Sequence, residues 1–310
     1  MQISILLAQQ IAQLFLILIM GYAVVKAGLL KASDSRVLSV VMVYLVTPCV
    51  IINAFQIDDT PEIRKGLLYS MAIAAAIHVV LLVLSALLSR PLKLDAVEQV
   101  NVIYSNAAAL VIPLVKALMG DAYVIYSCAF IIVQLVLLWT HASSLLQGSS
   151  ALDWKKVLTN INMIAIAAGA LLYWFRVVLP APLQNTMNTV GNMMGPMGML
   201  LAGMAIAEKP LREVFCTRRN YLPTVLRLVV CPLVVLVLLW VCHASSWVAD
   251  GKNILMTVYL AAITPACATV TSMAQLYDRD AAHSSALYVL TTLLSIVSMP
   301  VMIGLFDLLL

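Results

Sequence analysis

Apolar residues occupy the chain in long blocks separated by short polar stretches. Runs of about 20 residues, enough to cross about 30 Å of hydrocarbon as helices, fall at 5–25, 37–55, 67–89, 97–118, 122–146, 159–179, 184–207, 221–242, 254–276 and 282–306. Ten membrane-spanning helices are expected, the fourth and ninth being the least regular. The ninth contains "AAITPACATVTS" (261–272), which sets a proline among five hydroxyl or thiol side chains inside an apolar run. A proline within a helix removes one backbone hydrogen bond and strains the preceding turn. In hydrocarbon the freed carbonyls must be satisfied by protein or water, and Thr264, Thr269, Thr271 and Ser272 are suited to that task. The fourth span carries Pro113 behind Ser105 and Asn106. Two prolines at matching depth beside small polar residues point to broken helices meeting at a central site, whereas Pro48, Pro196, Pro232 and Pro300 read as simple kinks.

The two halves share a spacing. Gly21 precedes Pro48 by 27 residues, and Gly169 precedes Pro196 by the same number. An offset of 157 sets 106–113 against 263–270 and 117–123 against 274–280, which aligns Asp121 with Asp278. Each half holds five spans, an odd number, so the second copy enters the membrane upside down, as in the inverted repeats of secondary transporters. The expected fold is an all-α integral membrane protein: ten transmembrane helices as a 5+5 inverted repeat, residues 1–150 and 151–310, with helices four and nine broken and crossing.

Composition agrees. Hydrophobic residues make up 63% of the 310 and charged residues 10%, with mean hydropathy +1.03, against about 25% charged in soluble domains. The first span lacks a basic leader region and a cleavage site, so it is expected to be retained rather than removed as a signal peptide. The loops are short and leave no room for a soluble catalytic domain, so an enzyme is not expected. Twelve Lys and Arg fall in odd-numbered loops, four in even-numbered loops, and the other two, Lys116 and Arg227, within spans. Basic loops face the cytoplasm, which places both termini outside. The net charge of +4 reflects this topology. No basic run is interleaved with aromatics, so nucleic acid is not an expected partner. Cys49, Cys128, Cys231, Cys242 and Cys267 lie within spans and Cys216 in a loop, with no CxxC pair; neither a disulfide framework nor a zinc site is supported.

The segments "MGYAVVKAGLLKASDSRVLSVVMVYLVTPCVIINAF", "SNAAALVIPLVKALMGDAYV", "VGNMMGPMGMLLAGMAIA" and "TPACATVTSMAQLYDRDAAHSSALYVLTTLLSIVSMP" together resemble the auxin efflux carrier family, over essentially the whole chain. The resemblance implies a multi-pass carrier of the bacterial cytoplasmic (inner) membrane that moves small organic anions, such as malonate or malate, through a crossover of unwound fourth and ninth helices. Spans 1, 2, 6 and 7 would form a scaffold and spans 3–5 and 8–10 a moving part, and a homodimer is compatible with it. Asn106 and Pro113 match the family's Asn and Ile-Pro in span four, and Pro265 its proline in span nine. Two departures stand out: the glycines expected around that Asn are Ala107, Ala109 and Val111, and the second crossover Asn is Thr269.

No Asp or Glu lies deep in a span, which disfavours cation transport centred on an intramembrane carboxylate. The intramembrane ionisable groups are basic or imidazole. Lys116 either snorkels to the interface or attracts a carboxylate alongside the half-helix N-termini. Arg227 either snorkels or holds the scaffold or the anion. His78 is either a neutral, hydrogen-bonded imidazole or a proton-coupling group. His141 lies near the end of span five. No GxSxG, HExxH or phosphate-binding glycine loop is present. The candidate substrate-binding residues are therefore Asn106, Pro113, Lys116, Pro265, Thr269 and Thr271, with no metal or other cofactor and with H+ or Na+ as candidate coupling ions. Two alternatives remain at this point: a sodium-coupled organic anion symporter of the bile acid type, and a non-transporting membrane sensor or membrane enzyme.

Overall fold

The computed structural model describes residues 2–56, 60–148, 159, 161–208 and 211–310. The boundary expected between residues 150 and 151, and the loop residues Asp58, Asp59, Asp153, Lys155, Lys156 and Lys209, lie outside the described residues. Among the described residues the secondary structure is helical, apart from one two-residue antiparallel bridge between Ser105 and Ala266.

Helix α1 is Gln2–Lys26. Helix α2 covers 35–54 and contains a π turn at Met42–Val46. Helix α3 is Pro61–Ser89, opened by Pro61 in its first turn and by Thr60, whose hydroxyl accepts from the Ile63 amide at 3.3 Å. The fourth apolar run forms two short helices, α4 (Ala96–Ile103) and α5 (Ala107–Met119). A capping box starts α4: the Asp95 carboxylate accepts from the Glu98 amide at 2.8 Å, and the Glu98 carboxylate accepts from the Asp95 amide at 3.0 Å. Helix α6 spans Asp121–Gln147. Then come α7 (Ile161–Trp174), α8 (Ala181–Gly191), α9 (Met194–Glu208), α10 (Leu211–Cys216) and α11 (Arg218–Val241). The ninth run also splits, into α12 (Gly251–Ile263) and α13 (Ala268–Leu276), before α14 (Ala281–Leu309).

By length and composition α3, α6, α11 and α14 can each cross a membrane unbroken, and Phe15–Lys26, Met42–Ala54, Ile161–Trp174 and Gly251–Ile263 are shorter apolar helices. Polarity is arranged as a lipid solvent demands. Trp174, Val178, Leu68 and Leu308 face outward, while Arg227, Glu98, Asn101 and Gln134 are buried. Backbone polar groups that cannot reach water have to find partners inside the protein.

Among the described residues three π turns widen a helix: Met42–Val46 in α2, Leu138–Ala142 in α6 and Leu226–Val230 in α11. Pro48 and Pro232 each follow a π turn by two residues. The proline ring clashes with the carbonyl four residues back and supplies no N–H, and a wider turn relieves both. These two prolines therefore mark registry shifts rather than the simple kinks expected of them.

Glycine permits the closest helix pairing. Helices α1 and α9 pack extensively, and a Cβ on Gly203 would overlap the Leu18 carbonyl and press on the Tyr22 amide. Gly21 meets the backbone of Leu200 from the other helix in the same way. Backbone cannot swing aside as a side chain can, so overpacking of about 1–3 kcal/mol is expected. Gly203→Ala should lower the melting temperature of the purified protein, whereas Gly304→Ala, where a Cβ meets open space, should lower it by nothing measurable. Equal melting temperatures for both variants would show that α1 and α9 do not touch through backbone.

Candidate functional site

Both broken helices stop at the same place and join there. Chain runs extended at Tyr104 (φ −94°, ψ 125°) and at Thr264 (φ −61°, ψ 155°). The Asn106 amide donates to the Pro265 carbonyl at 2.8 Å, and the Cys267 amide to the Tyr104 carbonyl at 3.1 Å. Pro265 suits this position because the extended segment needs its carbonyl and not the N–H it lacks. The outer edges of the bridge are satisfied by side chains from neighbouring helices. Gln134 of α6 accepts from the Ser105 amide (3.0 Å) and hydroxyl (2.7 Å) and donates to the Ser105 carbonyl (2.8 Å). The Thr291 hydroxyl of α14 accepts from the Ala266 amide at 3.1 Å. The Tyr104 hydroxyl reaches the Leu137 carbonyl at 3.1 Å and the His141 Nδ1 at 3.0 Å, beside the π turn of α6.

The carbonyl ends of α4 and α12 meet a single side chain. Arg227, 1% exposed in the π turn of α11, donates from Nε and Nη2 to the Thr264 carbonyl (3.0 and 2.8 Å) and from Nη1 to those of Val102 and Ile103 (both 3.1 Å). Its Nη2 also donates to the Ala262 carbonyl. All five guanidinium N–H donors are used, so the side chain is anchored in the interior and does not snorkel. No carboxylate among the described residues pairs with it. Its charge is matched instead by two helix C-termini, each carrying about −0.5 of an elementary charge.

The opposite ends remain open. The first helical bond of α5 runs from the Leu110 amide to the Asn106 carbonyl at 3.1 Å, so the amides of residues 107–109 have no acceptor within their own helix. The Asn106 side chain, 6% exposed, does not cap them. Helix α13 begins at Ala268, with Ala268 and Thr269 exposed and the Val270 amide turned back to the Cys267 carbonyl at 3.1 Å. With the carbonyl ends neutralised by Arg227, two positive N-termini remain at one level of the bundle, a setting that favours an anion.

The structure redistributes the other candidate residues. Asn106 and Pro265 meet at the crossover. Thr271 lies on α13, its hydroxyl 3.1 Å from that of Ser284, which also accepts from the Asn101 amide at 3.1 Å. Pro113 falls inside α5 and not at its break, because the interruption is made by tertiary partners eight residues earlier. Lys116 sits in the last turn of α5 and not near its start, about 15 Å from Asn106 at 1.5 Å per residue. There it complements the helix C-terminus and pairs with Asp121 at 2.9 Å. His78 is fully buried, with Nδ1 donating to the Ala74 carbonyl at 2.8 Å and its ring 4.6 Å from that of Phe130.

Lys116 and Asp121 line a cavity of about 290 Å³ between α5 and the helices α2, α8 and α9. Its wall is rich in amides that the sequence reading missed: Asn53, Gln56, Gln184, Asn188 and Asn192. The Asn53 side chain donates to the Asn188 side-chain Oδ1 at 2.6 Å, and Gln56 Oε1 accepts from the Leu179 backbone amide at 2.8 Å. Of these amides, Asn53 and Gln134 stand in the sequence as amides set in apolar runs, whereas Gln184, Asn188 and Asn192 lie in a polar stretch.

A family model described as Membrane transport protein matches the chain over residues 6–153 and 149–303. No curated protein matches it.

Removing Arg227 would strand four carbonyls at about 1–3 kcal/mol for each buried group left unsatisfied. Arg227→Met should therefore destabilise the protein by at least about 3 kcal/mol, read from thermal unfolding in detergent, and Arg227→Lys, with three donors on one nitrogen, by an intermediate amount. A loss below about 1 kcal/mol for Arg227→Met would mean that this cluster does not hold the crossover.

Proposed function

The chain belongs to the membrane transport protein family of auxin efflux carriers, and we propose that it is a secondary carrier of small organic anions, mono- or dicarboxylates such as malonate or malate, working by alternating access. The observation that carries this reading is the charge arrangement at the crossover: two helix N-termini face one level of the bundle, their C-terminal counterparts are neutralised by Arg227, and among the described residues no carboxylate pairs with Arg227 there. Asn106 and Thr269 flank those N-termini, and the Asn106 side chain is not spent on capping.

The amide-lined cavity is the approach. At about 290 Å³ it lies at the lower limit for drug-sized ligands, about 300–1,000 Å³, and suits a small acid. Amides and a lysine already paired with Asp121 can exchange a carboxylate without holding it tightly. Helices α1, α2 and α7–α9 form the scaffold in this reading, and α3–α6 and α11–α14 form the moving part. Packing of α1 on α9 and of α2 on α7 and α8 supports the first group, and packing of α3, α5 and α12 on α6 supports the second. The exposed Thr269 would serve the opposite opening, towards the side that holds the basic loops. The reciprocal use of Gly21 (α1) against α9 and Gly169 (α7) against Phe55, which follows α2, supports the 5+5 inverted repeat.

Arg227 also separates this reading from sodium coupling at the crossover, because a guanidinium already occupies the carbonyl cluster that would coordinate a sodium ion. Protein reconstituted in vesicles should take up a labelled dicarboxylate at the same rate when choline replaces sodium. Asn106→Ala should abolish uptake while leaving the melting temperature within about 1 °C of the unsubstituted protein, a shift of well under 1 kcal/mol for a chain of this size. Uptake untouched by Asn106→Ala would remove the crossover as the binding site, and a sodium requirement would reinstate the symporter.

A further inference from the structure

Amide side chains recur along one face of α8. Gln184, Asn188 and Asn192 follow one another every four residues, and Asn192, just past the helix end, keeps helical dihedrals (φ −65°, ψ −15°). They therefore form one stripe about 12 Å long on the wall of the cavity beside α5. Asn53 of α2, and Gln56 two residues past the end of α2, meet that stripe through their side chains. Apart from the Lys116–Asp121 pair, every polar side chain among the described lining residues is an amide.

Only part of this hydrogen-bonding capacity is spent inside the protein. Asn53 Nδ2 donates to Asn188 Oδ1, which leaves over the Asn53 carbonyl oxygen and an N–H of Asn188. Turning both amides round leaves the same surplus of acceptor and donor. Gln56 is consumed: its Oε1 accepts from the Leu179 amide (2.8 Å) and from Gln184 Nε2 (3.3 Å), and its Nε2 donates to the Val177 carbonyl at 3.4 Å. Gln184 keeps its Oε1, and the Asn192 side chain makes no hydrogen bond among the described residues. The surplus is mixed: N–H donors on Asn188 and Asn192, and amide oxygens on Asn53, Gln184 and Asn192.

A carboxylate only accepts hydrogen bonds, so it can use the N–H donors and leaves the amide oxygens without a partner. A hydroxyl both donates and accepts. An ammonium would donate to the oxygens but leave the N–H groups unused, and no net negative charge draws it in, since Asp121 is neutralised by Lys116 at 2.9 Å. We propose that this amide wall selects carboxylates that carry a hydroxyl over the same acids without one. The choice of a carboxylate rests on the carrier reading above, and the hydroxyl rests on the wall alone. A site lined to hydrogen-bond a hydroxyl turns away the analogue that lacks it, because its own polar groups then go unpaired.

Succinate, malate and tartrate share one diacid chain and carry no, one and two hydroxyls, and aspartate puts an ammonium where malate has its hydroxyl. Each can be titrated onto the full-length protein in detergent while thermal unfolding is followed, since a ligand of the folded state raises the apparent melting temperature, with uptake of labelled malate into vesicles measured alongside. The half-maximal concentration should fall roughly fivefold with each hydroxyl added, the change that one typical net hydrogen bond gives, and aspartate should rank no better than succinate. Asn188→Leu and Asn192→Leu should each roughly halve the preference for malate over succinate. Asn192 has no side-chain bond within the described protein to lose, so its variant tests the wall even where Asn188→Leu fails to fold. Thr189→Val, which removes a hydroxyl bonded to the Asn185 carbonyl and not on the cavity wall, should leave the preference unchanged. Equal half-maximal concentrations for succinate and malate, a stronger response to aspartate than to malate, no response to any of the acids, or a preference untouched in both leucine variants would overturn the wall, while malate uptake would leave the carrier reading standing. The hydroxyl series without any uptake would support the wall and remove the carrier.

Discussion

Four carbonyls at the ends of α4 and α12 have no helical partner, and one guanidinium takes all of them. The break in two membrane helices depends on that contact. A cation at mid-membrane costs about 2.5–3.5 kcal/mol on insertion scales, and the gathered carbonyl dipoles offset it. The same arrangement has an electrostatic consequence: with the negative helix ends neutralised, the positive ends of α5 and α13 are left to act on whatever enters. In the proposed reading, a carrier built this way would select anions without needing a mobile basic residue in the binding site.

Gln134 and Thr291 complete the local account by taking the edge groups of the Ser105 and Ala266 bridge. The π turns widen α6 and α11 where His141 and Arg227 project towards the crossover. Rigid side-chain contacts thus fix a piece of irregular backbone that hydrocarbon would not tolerate.

Apolar runs in the sequence pointed to four helices long enough to cross a membrane and to several shorter ones, because helix length and hydrophobicity are local properties, but they did not show that the run at 184–207 is divided between α8 and α9. Pro265, with its hydroxyl neighbours, marked the second break directly. The first break was legible only by analogy, and Pro113 pointed to the wrong residue: chain leaves the helix at Tyr104–Asn106, where Gln134 and Arg227 arrive from segments 29 and 125 residues further along. No periodicity records such partners. Lys116 was misplaced for the same reason, since its distance from the break depends on where the break lies. The amides at Asn53 and Asn188, 135 residues apart, gain meaning only once the fold brings them to one cavity.

The most direct test of this account is hydrogen–deuterium exchange by mass spectrometry, with and without a saturating dicarboxylate, on the protein in lipid nanodiscs. Open helix starts should exchange measurably when empty and be protected when an anion accepts their amides. The account predicts slower exchange in peptides covering 104–110 and 264–272, with no change in α1 and α9. Protection confined to other segments, or absent at a concentration that saturates binding, would contradict it.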